Sequence, residues 1–362
     1  MFIGFVPLSF FFSIFLSLIL IYLDSRANLL GDSNLRDSAQ TLHKKSVSRF
    51  GGVAIYISTL LTIFVTYYLE FRWESTAILF VMLFCLPPFL IGLLDDLKFD
   101  MHPLLRIFLL LPAPVLFFYF GEIRVTSLDL GFIDDFLQIE IFALFFLCFS
   151  IVGMMNAFNL IDGINGQLSS YLISIIIALM LIENISNNIV DMPIEFRYFS
   201  NILLGSLIGF LVLNIFGKIF LGDGGAYFLG TIVCIALIGI QQINNFSPWS
   251  VMLVLAYPFT DLIFSVLRRK FITGGDLMQP DAEHLHHVVY KRFKKLKFKD
   301  DRFRHFFTVM FLTILNFPYI ASAIYFADNT LALMSIFVVY IFSYLLVYFS
   351  LSPRFLLSDE KK

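Results

Sequence analysis

Three asparagines, an aspartate and two glycines occur between Asn156 and Gly166, at a junction between two long apolar segments. Asn156, Asn159 and Asp162 are three residues apart, so a helix would place them on one side of its surface. Their oxygens suit a Mg²⁺ shell or the hydrogen-bonding edge of a nucleotide. Gly163 and Gly166 would let a ligand approach the backbone. A helix cap with a turn is the alternative, but a cap needs only one such side chain.

Two further acidic sites also stand at the ends of apolar segments. The Asp95–Asp96 pair follows Gly92-Leu-Leu. Adjacent carboxylates can bind a divalent cation, or one can act as a base because its neighbour raises its pKa. Asp223 lies in a Gly-Asp-Gly-Gly sequence, where backbone N–H groups can face an anion and the carboxylate can hold a metal. A solvated helix end for the pair, and an ordinary turn around Asp223, are the alternatives.

A third polar group follows the ninth apolar segment. Arg268 and Arg269 begin it, and His284, His286 and His287 come later in the same stretch. The arginine pair is typical of a positively charged membrane anchor. A zinc site is disfavoured, because no cysteine is nearby and the His-x-His-His spacing would divide the rings around a helix. Imidazole and guanidinium donors suit a phosphorylated substrate instead.

Membrane helices must position these residues. The chain has 362 residues, of which 59% are hydrophobic and 14% charged, whereas soluble domains carry roughly 25% charged residues. One helix needs about 20 apolar residues to cross a bilayer. That rule predicts an all-α polytopic membrane protein with about eleven transmembrane helices, and residues 1–362 form a single domain. The predicted spans lie near 2–23, 51–70, 77–94, 104–120, 139–155, 167–183, 200–217, 225–243, 249–266, 305–325 and 330–351. Met1–Leu23 lacks a cleavage site, so we interpret it as a retained span and not as a signal peptide.

The distribution of basic residues predicts the orientation. The chain has 25 Lys and Arg residues, and all of them lie in segments that follow odd-numbered spans, apart from Arg72, Arg124 and Arg197. The positive-inside rule therefore predicts an outside N-terminus and a cytoplasmic C-terminus. The polar clusters also follow odd-numbered spans, so we expect an active cleft on the cytoplasmic face. The basic run from Lys291 to Arg304 predicts contact with anionic lipid headgroups. On the other side, alternation within residues 123–131 predicts a small β-hairpin.

Phosphoryl transfer between a soluble nucleotide compound and a lipid is the function that this pattern favours. A transporter of lipid-linked or nucleotide sugars is the alternative, but it would need polar groups near the bilayer centre, where ionisable residues are scarce. A CDP-alcohol phosphotransferase is disfavoured because a DGxxAR-type motif is absent from the sequence. The net charge of −2 gives no sign of a nucleic-acid partner.

Five motifs in order resemble those of the polyprenyl-phosphate N-acetylhexosamine-1-phosphate transferases, in particular the bacterial undecaprenyl-phosphate GlcNAc-1-phosphate transferases of glycosyltransferase family 4. They are Arg49-Phe-Gly51-Gly52, Asp95-Asp96, the Asn156–Gly166 stretch with Gly222-Asp223, Pro258-x-x-Asp261, and His284-x-His286-His287. The resemblance implies transfer of a HexNAc-1-phosphate from a UDP-N-acetylhexosamine to undecaprenyl phosphate, with release of UMP. It further implies Mg²⁺, with Mn²⁺ as an alternative, and initiation of O-antigen or another surface polysaccharide at the bacterial inner membrane. Membrane lipids are expected partners, and a homodimer is one option for the assembly.

The resemblance also implies roles for particular residues. They are Asp95 as base or nucleophile with Asp96 beside it, Asp223 with Asn159 as metal ligands, Asp162, Gly163 and Asn165 as nucleotide contacts, and Arg269, His284, His286 and His287 as phosphate and sugar contacts. Three positions depart from the family pattern: Asn165 replaces a frequent Asp, Ala226 a frequent Ser, and Arg106 a common Lys. The loop before the histidines does not resemble that of the MurNAc-pentapeptide branch, which makes peptidoglycan synthesis the less favoured pathway.

Overall fold

The computed structural model describes residues 5–27, 47–68, 75–97, 99, 101–185, 192–273, 281, 283–295 and 300–352. The described residues form sixteen α-helices and one π-helical turn, Arg269–Thr273. The α-helices are α1 (Phe5–Ala27), α2 (Gly51–Tyr68), α3 (Ser75–Phe84), α4 (Leu86–Asp96), α5 (Pro103–Leu110), α6 (Pro112–Phe120), α7 (Phe132–Leu137), α8 (Glu140–Ile161), α9 (Gln167–Ile185), α10 (Ile194–Asn214), α11 (Gly222–Asn244), α12 (Pro248–Val254), α13 (Ala256–Arg268), α14 (Leu285–Lys295), α15 (Asp301–Tyr325) and α16 (Thr330–Leu351).

Nine helical segments in the described part of the chain are long and apolar enough to cross a membrane. They are Phe5–Arg26, Gly51–Tyr68, Ala77–Asp96, Pro103–Phe120, Glu140–Ile161, Ile194–Asn214, Gly222–Asn244, Asp301–Tyr325 and Thr330–Leu351. Helices α12 and α13 form a bent pair, and the number of candidate spans in the described residues rises to ten if this pair counts as one span. The predicted span near 167–183 corresponds to a shorter apolar helix, Gln167–Leu181. The all-helical, multi-pass architecture is confirmed. The count of eleven and the orientation stay predictions.

Helix α11 is the centre of the bundle. In the most apolar stretch of α11, 72% of the residues are buried, against 17% in that of α1. It packs against α2, α4 and α8, so the residues at its first turn meet the ends of those helices. At the periphery, α1 packs on α10 through small residues, and the Ser13 hydroxyl donates to the Ser206 carbonyl at 2.7 Å. Small residues allow two helices to approach closely inside a membrane, where the lipid is as apolar as the side chains.

Prolines divide three of the predicted spans. In the span near 104–120, Pro112 begins α6, and one residue separates it from the end of α5 at Leu110. Pro87 and Pro88 follow the break between α3 and α4, and the Tyr56 hydroxyl donates to the nearby Met82 carbonyl at 2.9 Å. The break between α12 and α13 bends the chain by 74°. Pro258 lacks the N–H that would bond to the Val254 carbonyl, and the Tyr171 hydroxyl donates to that carbonyl at 2.5 Å instead. Neighbouring helices thus satisfy the carbonyls that a break exposes.

The predicted β-hairpin within residues 123–131 is wrong. This segment has no strand, and the only β-type pairing among the described residues is an isolated bridge between Ser48 and Ile219. Asp134 at the start of α7 accepts hydrogen bonds from the N–H groups of Leu128 and Leu130 at 2.6 and 3.1 Å. A side chain therefore satisfies the backbone donors that a partner strand would otherwise have used.

Candidate active site

Four carboxylates come from three helix ends to one end of the bundle; we call Asp95, Asp96, Asp162 and Asp223 the acidic cluster. Glycine contacts bring the end of α4 to the start of α11. A Cβ on Gly92 would lie 2.5 Å from the carbonyl carbon and oxygen of Asp223. The Gly224 N–H, in turn, donates to the Asp96 carboxylate at 3.1 Å. The helices can meet this closely only because a glycine stands at the contact.

The segment before α2 lies against the segment before α11. The N–H groups of Gly51 and Gly52 donate to the carbonyls of Phe220 and Leu221, at 2.9 and 2.7 Å. The first N–H groups of a helix have no partner within it, so these bonds complete the first turn of α2. Arg49 is thereby held at the acidic cluster, where its charge acts on three of the four carboxylates.

A second arginine reaches the cluster from α5. Arg106 Nε lies 2.7 Å from the Asp95 carboxylate, and the Asp95 side chain is only 6% exposed. Arg106 Nη1 also donates to the Tyr227 hydroxyl at 3.4 Å, and the Asn159 amide reaches the same hydroxyl at 3.5 Å. A desolvated pair of this kind holds both side chains in position, because separating them would leave a buried charge without a partner.

Helix α8 contributes Asn159 and Asp162. The Asn159 side chain interacts with the Asp223 carboxylate, and Asp162 is the C-cap residue of α8. Desolvation and the Asp223 charge raise the pKa of Asp162 well above its ordinary value, although Arg49 opposes the shift. Asn156 has a different environment, because its amide donates to the Val152 carbonyl of its own helix at 2.8 Å.

The loop of residues 162–166 is fixed by a buried asparagine that the sequence did not single out. Gly166 has a φ of +85°, and its N–H donates to the Asn214 side-chain oxygen at 2.6 Å. The Asn214 amide nitrogen donates to the Ile219 carbonyl at 2.7 Å, and Asn214 is buried. One side chain therefore connects this loop, which contains the buried Asn165, to the segment that precedes α11.

The three histidines form a buried cluster; we call His284, His286 and His287 the histidine cluster. The rings of His284 and His286 are parallel with centroids 5.6 Å apart, and the rings of His286 and His287 lie 4.2 Å apart. The prediction that their spacing would divide them around a helix is wrong, because α14 begins only at Leu285, after the first histidine. A Cβ on Gly163 would come within 3.2 and 3.3 Å of two His286 ring carbons. The histidine cluster therefore packs against the 162–166 loop.

Asp261 of α13 orients the first histidine. One Asp261 oxygen lies 2.7 Å from His284 Nδ1. The other accepts from the Leu285 N–H at 3.0 Å and from the Tyr344 hydroxyl at 2.7 Å. The side chains of Asp261, His284 and Tyr344 are each about 1% exposed. A carboxylate so buried needs this full set of partners.

The histidines differ in their affinity for a proton. Burial lowers the pKa of His284, but the Asp261 carboxylate together with Asp281 outweighs burial and raises it above the ordinary value. Burial and the neighbouring rings hold the pKa of His286 well below its usual range. Burial, followed by the charges of His284 and Lys291, lowers the pKa of His287 to about 4. At neutral pH the cluster thus contains two neutral rings, each of which can donate one hydrogen bond and accept another.

The arginine pair at the end of α13 is divided between two environments. Arg268 is buried, donates to Glu283 at 2.8 Å and forms an ion pair with Asp281. Arg269, the predicted phosphate ligand, has its Nε 3.8 Å from the Asp281 carboxylate. Arg268 therefore ties the segment before the histidines to α13, and phosphate binding by Arg269 stays a prediction.

The oxygens of the acidic cluster fit the Mg²⁺ that the sequence resemblance implies. The described residues contain no group of three His, Cys, Asp or Glu side chains arranged to hold a metal by themselves. Mg²⁺ is, however, commonly bound by one or two carboxylates, completed by water and substrate phosphates. One buried Asp96 oxygen has no hydrogen-bond partner among the described residues, and the Asp223 carboxylate and Asn159 amide lie at the same place. This set suits a hard cation that is shared with a substrate.

The structure thus brings Asp95, Asp96, Asn159, Asp162 and Asp223 into one cluster, with Gly163 at the boundary to the histidine cluster. Their individual roles remain predictions. Sequence reasoning missed three residues that hold this site together, Tyr227, Asn214 and Tyr344, and it assigned no role to a fourth, Arg106. Only Arg106 left a signal in the sequence, as a departure from the family pattern, since a basic residue at the start of a span could have been paired with the nearby aspartates.

Known proteins are similar to this chain over much of its length. The family model described as "Glycosyl transferase family 4" matches residues 75–241, which include the whole acidic cluster but not the histidine cluster. "Undecaprenyl-phosphate alpha-N-acetylglucosaminyl 1-phosphate transferase" of Thermotoga maritima is 30% identical over 264 residues, which cover 72% of this chain and 74% of the relative.

Two further relatives cover similar shares. "Probable undecaprenyl-phosphate N-acetylglucosaminyl 1-phosphate transferase" of Bacillus subtilis is 26% identical, over 84% of this chain and 80% of the relative. "Phospho-N-acetylmuramoyl-pentapeptide-transferase" of Streptococcus sanguinis is also 26% identical, over 72% of this chain and 80% of the relative. The extent of these matches shows that the chain belongs to glycosyl transferase family 4.

Proposed function

We propose that this protein transfers a HexNAc-1-phosphate, with GlcNAc or a related N-acetylated sugar, from a UDP-sugar to undecaprenyl phosphate and releases UMP. The observation that carries the proposal is the acidic cluster, in which three helix ends place four carboxylates beside Arg49 and Arg106. Carboxylates and arginines at one place provide both a cation site and donors for phosphate oxygens, which are the requirements of phosphoryl transfer.

In the proposed reaction, a phosphate oxygen of undecaprenyl phosphate forms a bond to the phosphorus of the sugar phosphate. The P–O bond of the pyrophosphate breaks, and UMP leaves with the electron pair. Asp95 acts either as the base that deprotonates the lipid phosphate in this single displacement, or as a nucleophile in two. In the second case Asp95 bonds to the phosphorus as UMP leaves, and the lipid phosphate then attacks the same phosphorus and releases the Asp95 carboxylate. Its ion pair with Arg106 holds the Asp95 side chain in place within the acidic cluster. Asp162, Gly163 and Asn165 orient the nucleotide, while Arg269 and the histidine cluster donate to phosphate and sugar oxygens.

Asp223 and Asn159 would hold the Mg²⁺, with Mn²⁺ as the alternative ion. Such an ion, when bound, neutralises the charge of the phosphates. The glycines around Asp223 let it lie close to its neighbours, because a Cβ on Gly222 would collide with the Asp96 carboxylate and one on Gly224 would lie 2.9 Å from the Leu93 nitrogen. The buried Asp96 has one oxygen that makes no hydrogen bond to the described residues. We place the cleft on the cytoplasmic face of a bacterial inner membrane, because the basic segments share its side.

The experiment that tests the proposal mixes purified protein with UDP-GlcNAc, undecaprenyl phosphate and Mg²⁺, and measures UMP together with the lipid-linked product. UDP-QuiNAc and UDP-FucNAc are tested in parallel, because the pattern before the histidines does not identify the sugar. We expect UMP and lipid product in equal amounts with at least one of these sugars. Absence of both products with all three would refute the proposal.

UDP-MurNAc-pentapeptide serves as the discriminating substrate. One relative is named for transfer of that group, and it is about as similar to this chain as the Bacillus subtilis relative. We expect no product from it, and hence a role in O-antigen or another surface polysaccharide. Product from this substrate alone would assign the protein to the peptidoglycan branch.

A further inference from the structure

We propose that Tyr344 on the last helix is a positioning residue for the histidine cluster, which it fixes through Asp261. Tyr344 lies outside every motif of the sequence and outside residues 75–241, which the family model matches. Its hydroxyl donates to the Asp261 carboxylate at 2.7 Å, and both side chains are buried. It is thus the contact by which α16 takes part in the site.

The Tyr344 hydroxyl determines which oxygen of Asp261 is left for His284. One Asp261 oxygen accepts from Tyr344 and from the Leu285 N–H, which leaves the other oxygen for His284 Nδ1 at 2.7 Å. The hydrogen bond at one ring nitrogen of a histidine sets which nitrogen carries the proton. Asp261 therefore assigns the proton of the neutral His284 ring to Nδ1, and Tyr344 holds Asp261 in the orientation that does so.

The effect extends from His284 to the 162–166 loop. The His284 ring stacks in parallel on His286, and His286 packs against Gly163. Neither nitrogen of the buried His286 ring makes a hydrogen bond to the described residues, so stacking, and not hydrogen bonding, sets its position. A His284 ring that is free to turn would thus loosen His286 and the backbone it contacts.

The packing of Tyr344 does not need its hydroxyl. Its ring contacts Phe264 edge-on at 5.6 Å and lies nearly parallel to Tyr348 at 6.4 Å. The Tyr344→Phe variant keeps these contacts and removes only one donor from Asp261. Tyr340 gives a matched control: it is one turn away on α16, is equally buried, and its hydroxyl donates to Asn316 at 3.1 Å.

The test is nitrogen NMR of the full-length protein in nanodiscs with ¹⁵N-labelled histidine. The chain has 6 histidines, and the His284 signals are identified by their loss in His284→Gln. In the parent protein, at a pH where the ring is neutral, we expect a single form protonated at Nδ1. In Tyr344→Phe we expect this single form to be lost, with part of the population protonated at Nε2. Tyr340→Phe should give the parent spectrum.

An unchanged His284 spectrum in Tyr344→Phe would overturn the proposal. So would a lower thermal midpoint without any change of the His284 signals, or failure of Tyr344→Phe to fold while Tyr340→Phe folds, because each would show a purely structural role. A change of equal size in both variants would overturn it as well. The NMR result does not depend on any activity. The role of Tyr344 can therefore be refuted while the proposed function stands, and the proposed function can be refuted while the role of Tyr344 stands.

A second measurement rests on the proposed function. We expect kcat/KM for the UDP-sugar to fall about tenfold in Tyr344→Phe, the lower end of the loss seen when the orienting partner of a metal-binding histidine is removed. The loss should appear mainly in KM, because the histidine cluster is assigned to binding. A loss confined to kcat, or an equal loss in Tyr340→Phe, would contradict this role for Tyr344.

Discussion

At the scale of single residues, four carboxylates in one small volume are costly unless something compensates their charge. Two arginines do so in part: Arg106 pairs with Asp95, and Arg49 acts on the other three carboxylates. Within the part of the chain that the structure describes, one buried Asp96 oxygen still has no hydrogen-bond partner. Buried polar atoms normally have partners, so an exception at the junction of three helices indicates a place for a ligand.

The first prediction concerns Asp223. Asp223→Asn keeps the size of the side chain but removes its charge, so we expect product formation to fall by at least about a hundredfold at ordinary Mg²⁺ concentration. Asp135→Asn, an exposed carboxylate on α7, should keep parent activity. UMP release is measured for both over a range of Mg²⁺ concentrations. Retained activity in Asp223→Asn would remove this residue from the metal site.

The second prediction concerns the pH dependence of stability. Because the pKa of His287 is lowered to about 4 from 6.5, the folded protein binds fewer protons than the unfolded chain between these values. Its neutral ring therefore contributes stability that is full above pH 6.5 and is lost as the pH falls towards 4, by up to about 1.4 kcal/mol per pH unit. His284, whose pKa is raised, acts in the opposite direction: its contribution is full below 6.5 and is lost at higher pH.

We therefore expect His287→Gln to lose less stability on acidification than the parent protein does. The measurement is the thermal midpoint in detergent between pH 7.5 and 4.5, compared for the two proteins at each pH. Midpoints that fall in parallel would show that His287 is not a buried neutral ring.

At the scale of helices, close contacts at glycines determine where the carboxylates lie. α4 and α11 meet at Gly92, and α2 meets α11 where a Cβ on Gly225 would lie 2.8 Å from the Gly52 Cα. The helix is interrupted at Cys85 before α4 and at Leu255 before α13. These two interruptions determine the directions of α4 and α13. Adding one methyl group at such a contact can therefore displace the carboxylates, although the methyl group itself touches no substrate.

The third prediction uses two glycines in helices. Gly92→Ala would place a Cβ 2.5 Å from backbone atoms of Asp223, so we expect α4 to be displaced, with activity reduced at least about tenfold and stability lowered by about 1–3 kcal/mol. Gly153→Ala in α8 is the control, because its Cβ would have no atom within 4 Å. Product formation and thermal midpoints are measured for both. Equal behaviour of the two variants would show that the α4–α11 contact does not position the carboxylates.

Motif residues could be found from the sequence, whereas their supports could not. Asp95, Asp162 and Asp223 stand out because carboxylates at the ends of apolar segments are rare and costly. Tyr227 and Asn214 lie within apolar helices, where a lone tyrosine or asparagine gives no indication of its partner. Their role depends on which helices become neighbours, and no local pattern contains that information.

At the scale of the whole molecule, hydropathy predicted the positions of the spans better than their shapes. The predicted spans near 77–94, 104–120 and 249–266 are each two helices, because prolines interrupt them. The predicted span near 167–183 is confirmed as a helix, Gln167–Ile185, whose apolar part is shorter than a full crossing. Apolar length measures what a segment can cross, but the bends depend on the hydrogen bonds that neighbouring helices offer.

The fourth prediction concerns orientation. Asp135 on α7 and Arg302 on α15 are both exposed, and the positive-inside rule places them on opposite sides of the membrane. In a variant without Cys85, Cys148 and Cys234, we expect an impermeant maleimide to label Asp135→Cys in intact cells. Arg302→Cys should react only after permeabilisation. The opposite pattern would invert the topology and move the acidic cluster to the outer face.

The hydrogen bonds between the start of α2 and the segment before α11 also bear on how the protein is made. The N–H groups of Gly51 and Gly52 donate to the carbonyls of Phe220 and Leu221, which lie about 170 residues later in the chain. A nascent chain emerging from the ribosome has therefore inserted α2 long before those carbonyls exist. Until they are synthesised, the first turn of α2 must be satisfied by water, so Arg49 cannot take its final place. The acidic cluster is consequently assembled late, after α11 has entered the membrane, and the chain acquires its site only when most of it has been translated.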